Sequence, residues 1–189
     1  MRIAILVGSI RADSFNLQLA RAIAQLGPPD WVYEHIDIHE LPLYNQDHDG
    51  AMPPVALRLK QRIESADGLL FVTPEYNRSI PGVLKNAIDI ASRPYGKNSF
   101  AGKPAGVIGT SIGAIGTAVA QSHLRGVLAY LDVPVLGQPE AYIHYREGLV
   151  DAAGHITDDK VRPFIERWVA AWRDFVVGHV ERAGGGSRR

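Results

Sequence analysis

The chain has 189 residues, enough for one domain with a substantial core. Lys plus Arg and Asp plus Glu balance at 20 each, so charge gives no support for a nucleic-acid or anionic-membrane partner. The absence of cysteine excludes disulfides, thiolate metal sites and thiol redox chemistry, and fits a cytoplasmic location.

Strand and helix patterns alternate along the chain. The run Ile3-Ala4-Ile5-Leu6-Val7 is too short for a signal or membrane segment and predicts a buried parallel strand over Arg2–Val7. A loop, Gly8 to Asn16, then opens a helix predicted over Ser14–Gln25, with Leu17, Ala20, Ile23 and Ala24 at helical spacing. A strand over Trp31–Ile38, a helix over Val55–Ser65, a strand over Gly68–Val72 and a helix over Gly82–Ala91 come next. After them stand a strand over Pro104–Gly109, a helix over Ile115–Leu131, a short strand over Val133–Leu136 and a helix over Asp158–Val177. Five strands joined by helical crossovers predict an α/β fold of three layers, a parallel sheet with helices on both faces. The expected strand order is 2-1-3-4-5, the flavodoxin-like arrangement, which brings the loops after strands one and three together. We expect one domain over residues 1–182 and a Gly-rich basic tail over 183–189. The third helix, with Val83, Leu84, Ala87, Ile88 and Ala91, is apolar enough to cover the sheet and leave a surface for a homodimer contact.

The Gly8–Asn16 loop is an expected anion site. A strand that ends in a hydroxyl-rich loop and opens a helix offers free N–H groups and the positive end of the helix dipole. Ser9, Ser14 and Asn16 can donate hydrogen bonds, and Arg11 carries a guanidinium fork suited to phosphate. The loop lacks the Lys-Ser/Thr pair of a Walker loop and the glycines of a dinucleotide fingerprint. A compact phosphate monoester suits it better. The second loop, Thr73 to Asn86, is a polar turn between Pro74 and Pro81 at the same edge of the sheet, where backbone groups and Tyr76 can meet a flat heterocycle.

At these two loops the sequence resembles a known family. Gly8-Ser9-Ile10-Arg11 through Ser14-Phe15-Asn16, with Thr73-Pro74-Glu75-Tyr76-Asn77, Ser79, Pro81-Gly82 and Leu84 to Asp89, is similar to the NADPH-dependent FMN reductase family, within it the bacterial quinone and chromate reductases. The resemblance covers roughly Met1 to Phe175. It implies non-covalent FMN, NADPH or NADH as electron donor, and a homodimer or tetramer. By position, it implies Ser9, Arg11, Ser14 and Asn16 at the FMN phosphate with Phe15 beside them, Pro74, Glu75, Tyr76 and Asn77 along the isoalloxazine, and Ser111 and Gly113 closing the other side. Arg78 and Ser79 are the expected substrate-binding residues, with Arg78 set against the NADPH 2′-phosphate. Ile10, Ile90 and Thr117 depart from the commoner family residues, the last two in ways that bear on pocket shape more than on FMN binding.

The expected chemistry is ping-pong: hydride passes from NAD(P)H to flavin N5, and a small acceptor (a quinone, azo or nitro compound, chromate or free flavin) then takes the electrons. No side-chain nucleophile or acid–base pair is needed, so none is nominated. Two other readings compete. Gly109-Thr110-Ser111-Ile112-Gly113 matches a nucleophile elbow with Asp132, Asp151, His144, His155 and His179 downstream, as in a serine α/β hydrolase. A flavodoxin-like electron carrier is the other, although such carriers are usually acidic. No metal site is expected, since His35 and His39 on one extended strand would stand about 13 Å apart at roughly 3.3 Å per residue.

Overall fold

The structure is a computed structural model that describes residues 1–185. The strands β1 (Arg2–Val7), β2 (Val32–Ile36), β3 (Gly68–Val72), β4 (Ala105–Ser111) and β5 (Tyr142–His144) alternate with the helices α1 (Phe15–Leu26), α2 (Pro54–Glu64), α3 (Gly82–Ala91), α4 (Ala118–Tyr130) and α5 (Val161–Gly185). The sheet is parallel in the order β2-β1-β3-β4-β5, as the alternation requires.

The period of two along each strand divides the core. Ile3, Ile5 and Val7 of β1 join Leu70, Val72 and Ile108 under α1 and α5. Ala4 and Leu6 join Leu69, Phe71, Ala105 and Val107 under α2, α3 and α4. The central strands are apolar on both faces because helices cover both. Trp168 and Trp172 are fully buried on α5 and stack with centroids 5.9 Å apart, as the core-facing stripe predicts.

Between α2 and the segment after α3, Lys60 is buried with its ammonium donating to Ala91 O (3.0 Å), Lys97 O (2.7 Å) and Ser99 Oγ (2.8 Å). Burial pushes its pKa down, and the three acceptors meet all three of its N–H bonds.

Several expectations are corrected. The Val133–Leu136 run is not the fifth strand. Its pairing with the sheet is a single bridge from Val135 to Ala105, and Pro134 has no N–H to extend the ladder. The strand forms at Tyr142–His144, a segment whose alternation of exposed, buried and exposed leaves only Ile143 pointing inward. The fourth helix starts at Ala118 rather than Ile115, because Gly116 sits at φ 60°, where its missing side chain lets it pass the Tyr142 carbonyl carbon. The last helix starts at Val161, with Asp158 accepting from Lys160 and Val161 N–H as its cap, and runs to Gly185. The expected tail boundary at 183 therefore falls inside α5, and residues 186–189 lie outside the described residues. On α3, Leu84, Ala87, Ile88 and Ala91 are buried in the core, the part expected to cover the sheet, and Val83 packs half-buried against it.

The close approach of β3 and β4 at their carboxyl ends depends on Gly109. A methyl group there would overlap the Thr73 carbonyl oxygen and come within 2.5 Å of Thr117 Oγ1. Gly109→Ala is expected to lower stability by about 1–3 kcal/mol, read from the urea midpoint with an unchanged slope.

Candidate functional site

Three loops meet at the carboxyl edge of the sheet. The ladder continues past the strand ends: Gly8 N–H donates to Val72 O at 2.9 Å and Thr73 N–H to Ile108 O at 3.0 Å. These bonds set the first loop beside the second, and the second beside the loop after β4. A cleft of about 190 Å³ lies between them. It is lined by every expected cofactor residue except Asn77 and Gly113, together with Thr110 and Ile112, which sequence reasoning missed.

At one end of the cleft is the start of α1. Ser14 is its N-cap and accepts from Leu17 N–H at 3.2 Å. The N–H groups of Phe15 and Asn16 have no acceptor among the described residues. The Ser9 hydroxyl accepts from Arg11 N–H at 3.4 Å, and the Arg11 guanidinium donates to Asp13 O while lying 4.5 Å over the Phe15 ring. Free amides, a hydroxyl, a helix N-terminus and a guanidinium together favour an anion.

Asn16 behaves differently from the expectation. Its amide is buried, Nδ2 donates to Thr110 O at 2.9 Å, and Oδ1 accepts from Thr110 N–H at 3.0 Å. The side chain completes both backbone bonds of Thr110 in β4, so it ties the helix start to the sheet instead of presenting its amide to a ligand. Its backbone N–H remains with the anion end.

Pro74, Tyr76 and Ile112 form the apolar part, with Tyr76 and Ile112 exposed at the rim. Beyond Glu75 the chain makes a two-residue hairpin: Tyr76 N–H donates to Ser79 O (3.0 Å) and Ser79 N–H to Tyr76 O (2.9 Å). Its central residues, Asn77 (φ 50°) and Arg78 (φ 63°), are both left-handed, the type I′ pattern. Asparagine tolerates that region, whereas arginine is strained there.

Glu75 holds the hairpin in place. One carboxylate oxygen accepts from both Val119 and Ala120 N–H at 3.0 Å, at the start of α4, where Thr117 supplies no side-chain cap. The other meets Arg78 at 3.2 Å. Bonds from amides to a buried carboxylate contribute about 1.5–3 kcal/mol each, whereas a pair to a solvent-exposed guanidinium contributes at most about 1. The amides therefore fix Glu75, and Arg78 is secondary. Ser79 shares a hydrogen bond of 3.1 Å with His123 Nδ1 of α4. Asn77, Arg78 and Ser79 thus sit on the hairpin beside the cleft, not in its lining.

Ser111 is placed against the hydrolase reading. Its hydroxyl donates to Gly116 O at 2.7 Å and accepts from Gly113 N–H at 3.2 Å, closing its own loop. A nucleophile would donate to an imidazole instead.

A parallel sheet with an anion-binding helix start and an apolar cleft at its carboxyl edge defines a flavodoxin-like α/β protein. The chain belongs to the NADPH-dependent FMN reductase family, whose model matches residues 1–148. It is 56% identical over 175 residues to a 2-hydroxy-1,4-benzoquinone reductase of a Burkholderia species, covering 91% of this chain and 96% of that one. It is 45% identical over 174 residues to a quinone reductase of Pseudomonas putida, covering 90% and 93%. Among solved structures it resembles FerB, a flavoenzyme NAD(P)H:(acceptor) oxidoreductase of Paracoccus denitrificans, with a TM-score of 0.90, 44% identity and coverage of 94% and 98%. The chain is thus an NAD(P)H-dependent oxidoreductase that works with FMN. No helix among the described residues is long and apolar enough to cross a membrane.

Removing the Asn16 amide leaves two backbone groups of Thr110 buried without partners, at about 1–3 kcal/mol each. Asn16→Ala is expected to destabilise the fold by about 2–6 kcal/mol in urea unfolding. A midpoint shift worth less than about 0.5 kcal/mol would show that water replaces the clasp.

Proposed function

We propose that the cleft between the three loops binds FMN and that the enzyme uses it to reduce quinones with electrons from NAD(P)H. The observation that carries the site is the pairing of an anion end, made by the Phe15 and Asn16 amides, Ser9 and Arg11, with an apolar end made by Pro74, Tyr76 and Ile112. A flat ring carrying a phosphate monoester on a polar chain has that same division of chemistry. Quinones are proposed as acceptors because the Burkholderia and Pseudomonas putida relatives are both named as quinone reductases.

Bound FMN would supply the redox centre for hydride transfer from NAD(P)H and electron transfer to the acceptor. The protein's part is to bind and orient. The start of α1 and Arg11 would hold the phosphate, Glu75 fixes the hairpin against α4, and Pro74, Tyr76 and Ile112 would offer the ring apolar contact. Donor and acceptor share the open side of the cleft in turn, which gives ping-pong kinetics. Ser111 closes its loop and donates no proton to the reaction.

Arg78 is proposed to meet the 2′-phosphate of NADPH. It is exposed, lies on the hairpin beside the cleft and is held by one ion pair, to Glu75. Self-association is proposed around the two loops beside α3, one before α2 and one after α3, where Leu43 and Tyr95 are the most exposed large apolar side chains among the described residues, at 82% and 86%. A cytoplasmic location is proposed for a chain that needs no oxidising compartment.

The purified protein is expected to show flavin absorption bands that NADPH bleaches without oxygen and benzoquinone restores. A colourless protein that takes up no added FMN would overturn the reading. In the Arg78→Ala variant the preference for NADPH over NADH is expected to fall with FMN content unchanged, and an unaltered preference would reject the role given to Arg78.

A further inference from the structure

Tyr145 stands immediately after β5. Its N–H donates to Ser111 O at 2.8 Å, which fixes its backbone at the end of β4. Its ring lies flat on Phe15, with centroids 3.6 Å apart and planes at 16°. The Arg11 guanidinium carbon is 4.5 Å from the centroid of the same Phe15 ring. With Tyr145 occupying one face at that distance, the guanidinium takes the other. Three flat groups from three separate segments are therefore piled in the order Arg11, Phe15, Tyr145.

The pile has a consequence for the anion end of the cleft. Arg11 is exposed and carries a long, rotamer-rich side chain that loses freedom whenever it fixes a ligand. Here the guanidinium is already held, by the Phe15 face and by the Asp13 carbonyl that one of its N–H bonds meets. Phe15 is the first residue of α1, and its ring is only partly buried. Tyr145 covers one face of it. Tyr145 does not line the cleft, so any effect on a ligand passes through its neighbours.

We propose that Tyr145 is a positioning residue for phosphate capture: its ring fixes Phe15, and Phe15 holds the Arg11 guanidinium ready for the phosphate monoester of the cofactor. The proposal rests on the reading of the Ser9–Asn16 loop as the phosphate end. Ordering a side chain in advance removes a cost of binding that corresponds to about three- to tenfold in affinity.

The test titrates the full chain, freed of flavin, with FMN and with riboflavin, which lacks the phosphate. Tyr145→Ala is expected to weaken FMN about three- to tenfold and leave riboflavin unchanged. Tyr145→Phe is expected to retain both affinities, because the stack and not the hydroxyl does the positioning. In an Arg11→Ala background Tyr145→Ala is expected to add nothing. Equal weakening of both ligands, no weakening of either, or an undiminished effect in the Arg11→Ala background would overturn the proposal. Should Tyr145→Ala fail to fold, Tyr145→Leu, which fills the volume without a flat face, takes the same comparison. If Arg11→Ala leaves the ratio of FMN to riboflavin affinity unchanged, the phosphate reading of the loop falls and the proposal with it. If Arg11→Ala shifts that ratio and the Tyr145 substitutions do not, the proposal alone falls.

Discussion

The paired hydrogen bonds between the Asn16 amide and the backbone of Thr110 join the start of α1 to the end of β4. They are buried and separated by 94 residues of chain. Parallel strands place their carboxyl ends at one edge, but they do not fix how far apart the loops beyond them stand. The clasp does. It sets the helix start, with its free amides, at a constant distance from the β4 loop, and the cleft is the space that results. An asparagine suits this task because one side chain offers a donor and an acceptor in the spacing of a peptide group.

The second loop is held by a different device. Its hairpin turns through two left-handed residues, one of them an arginine, so it stores local strain. The strain is opposed by Glu75, whose carboxylate serves as the cap that α4 lacks on its own sequence. One buried side chain thus satisfies two orphan amides and anchors the wall of the cleft. Arg78, on the same turn, contributes little to that anchorage and stays available to solvent and to ligands.

The edge strand β5 is only three residues long and adds little to the sheet. Its value lies in placing the next residue. By pairing with the last residues of β4 it delivers Tyr145 onto Phe15, so the first loop is supported from both sides, by Asn16 within and by the aromatic pile without. The same α1 start serves both supports.

Much of this was legible in the residues. Runs such as Ile3–Val7 and Gly68–Val72 are short, unbroken apolar stretches bounded by polar loops, the mark of strands buried on both faces, and alternation with helices dictates the parallel order. The two loops announced their chemistry through hydroxyls, an arginine and flanking prolines. The fifth strand was not legible: Val133–Leu136 is the more apolar segment, and only the prolines and the register of β4 decide against it. Nor was the division of labour inside the first loop. Asn16 reads as a ligand residue from its neighbours, and becomes a clasp only because Thr110 is folded against it. Glu75 as a cap for α4 and Tyr145 as a support for Phe15 likewise join distant segments. Local pattern settles elements and the kinds of groups at the sheet edge, because those depend on a few consecutive residues. Which groups face the cleft and which hold it open depends on contacts between segments far apart in the chain, and those exist only once the sheet has assembled.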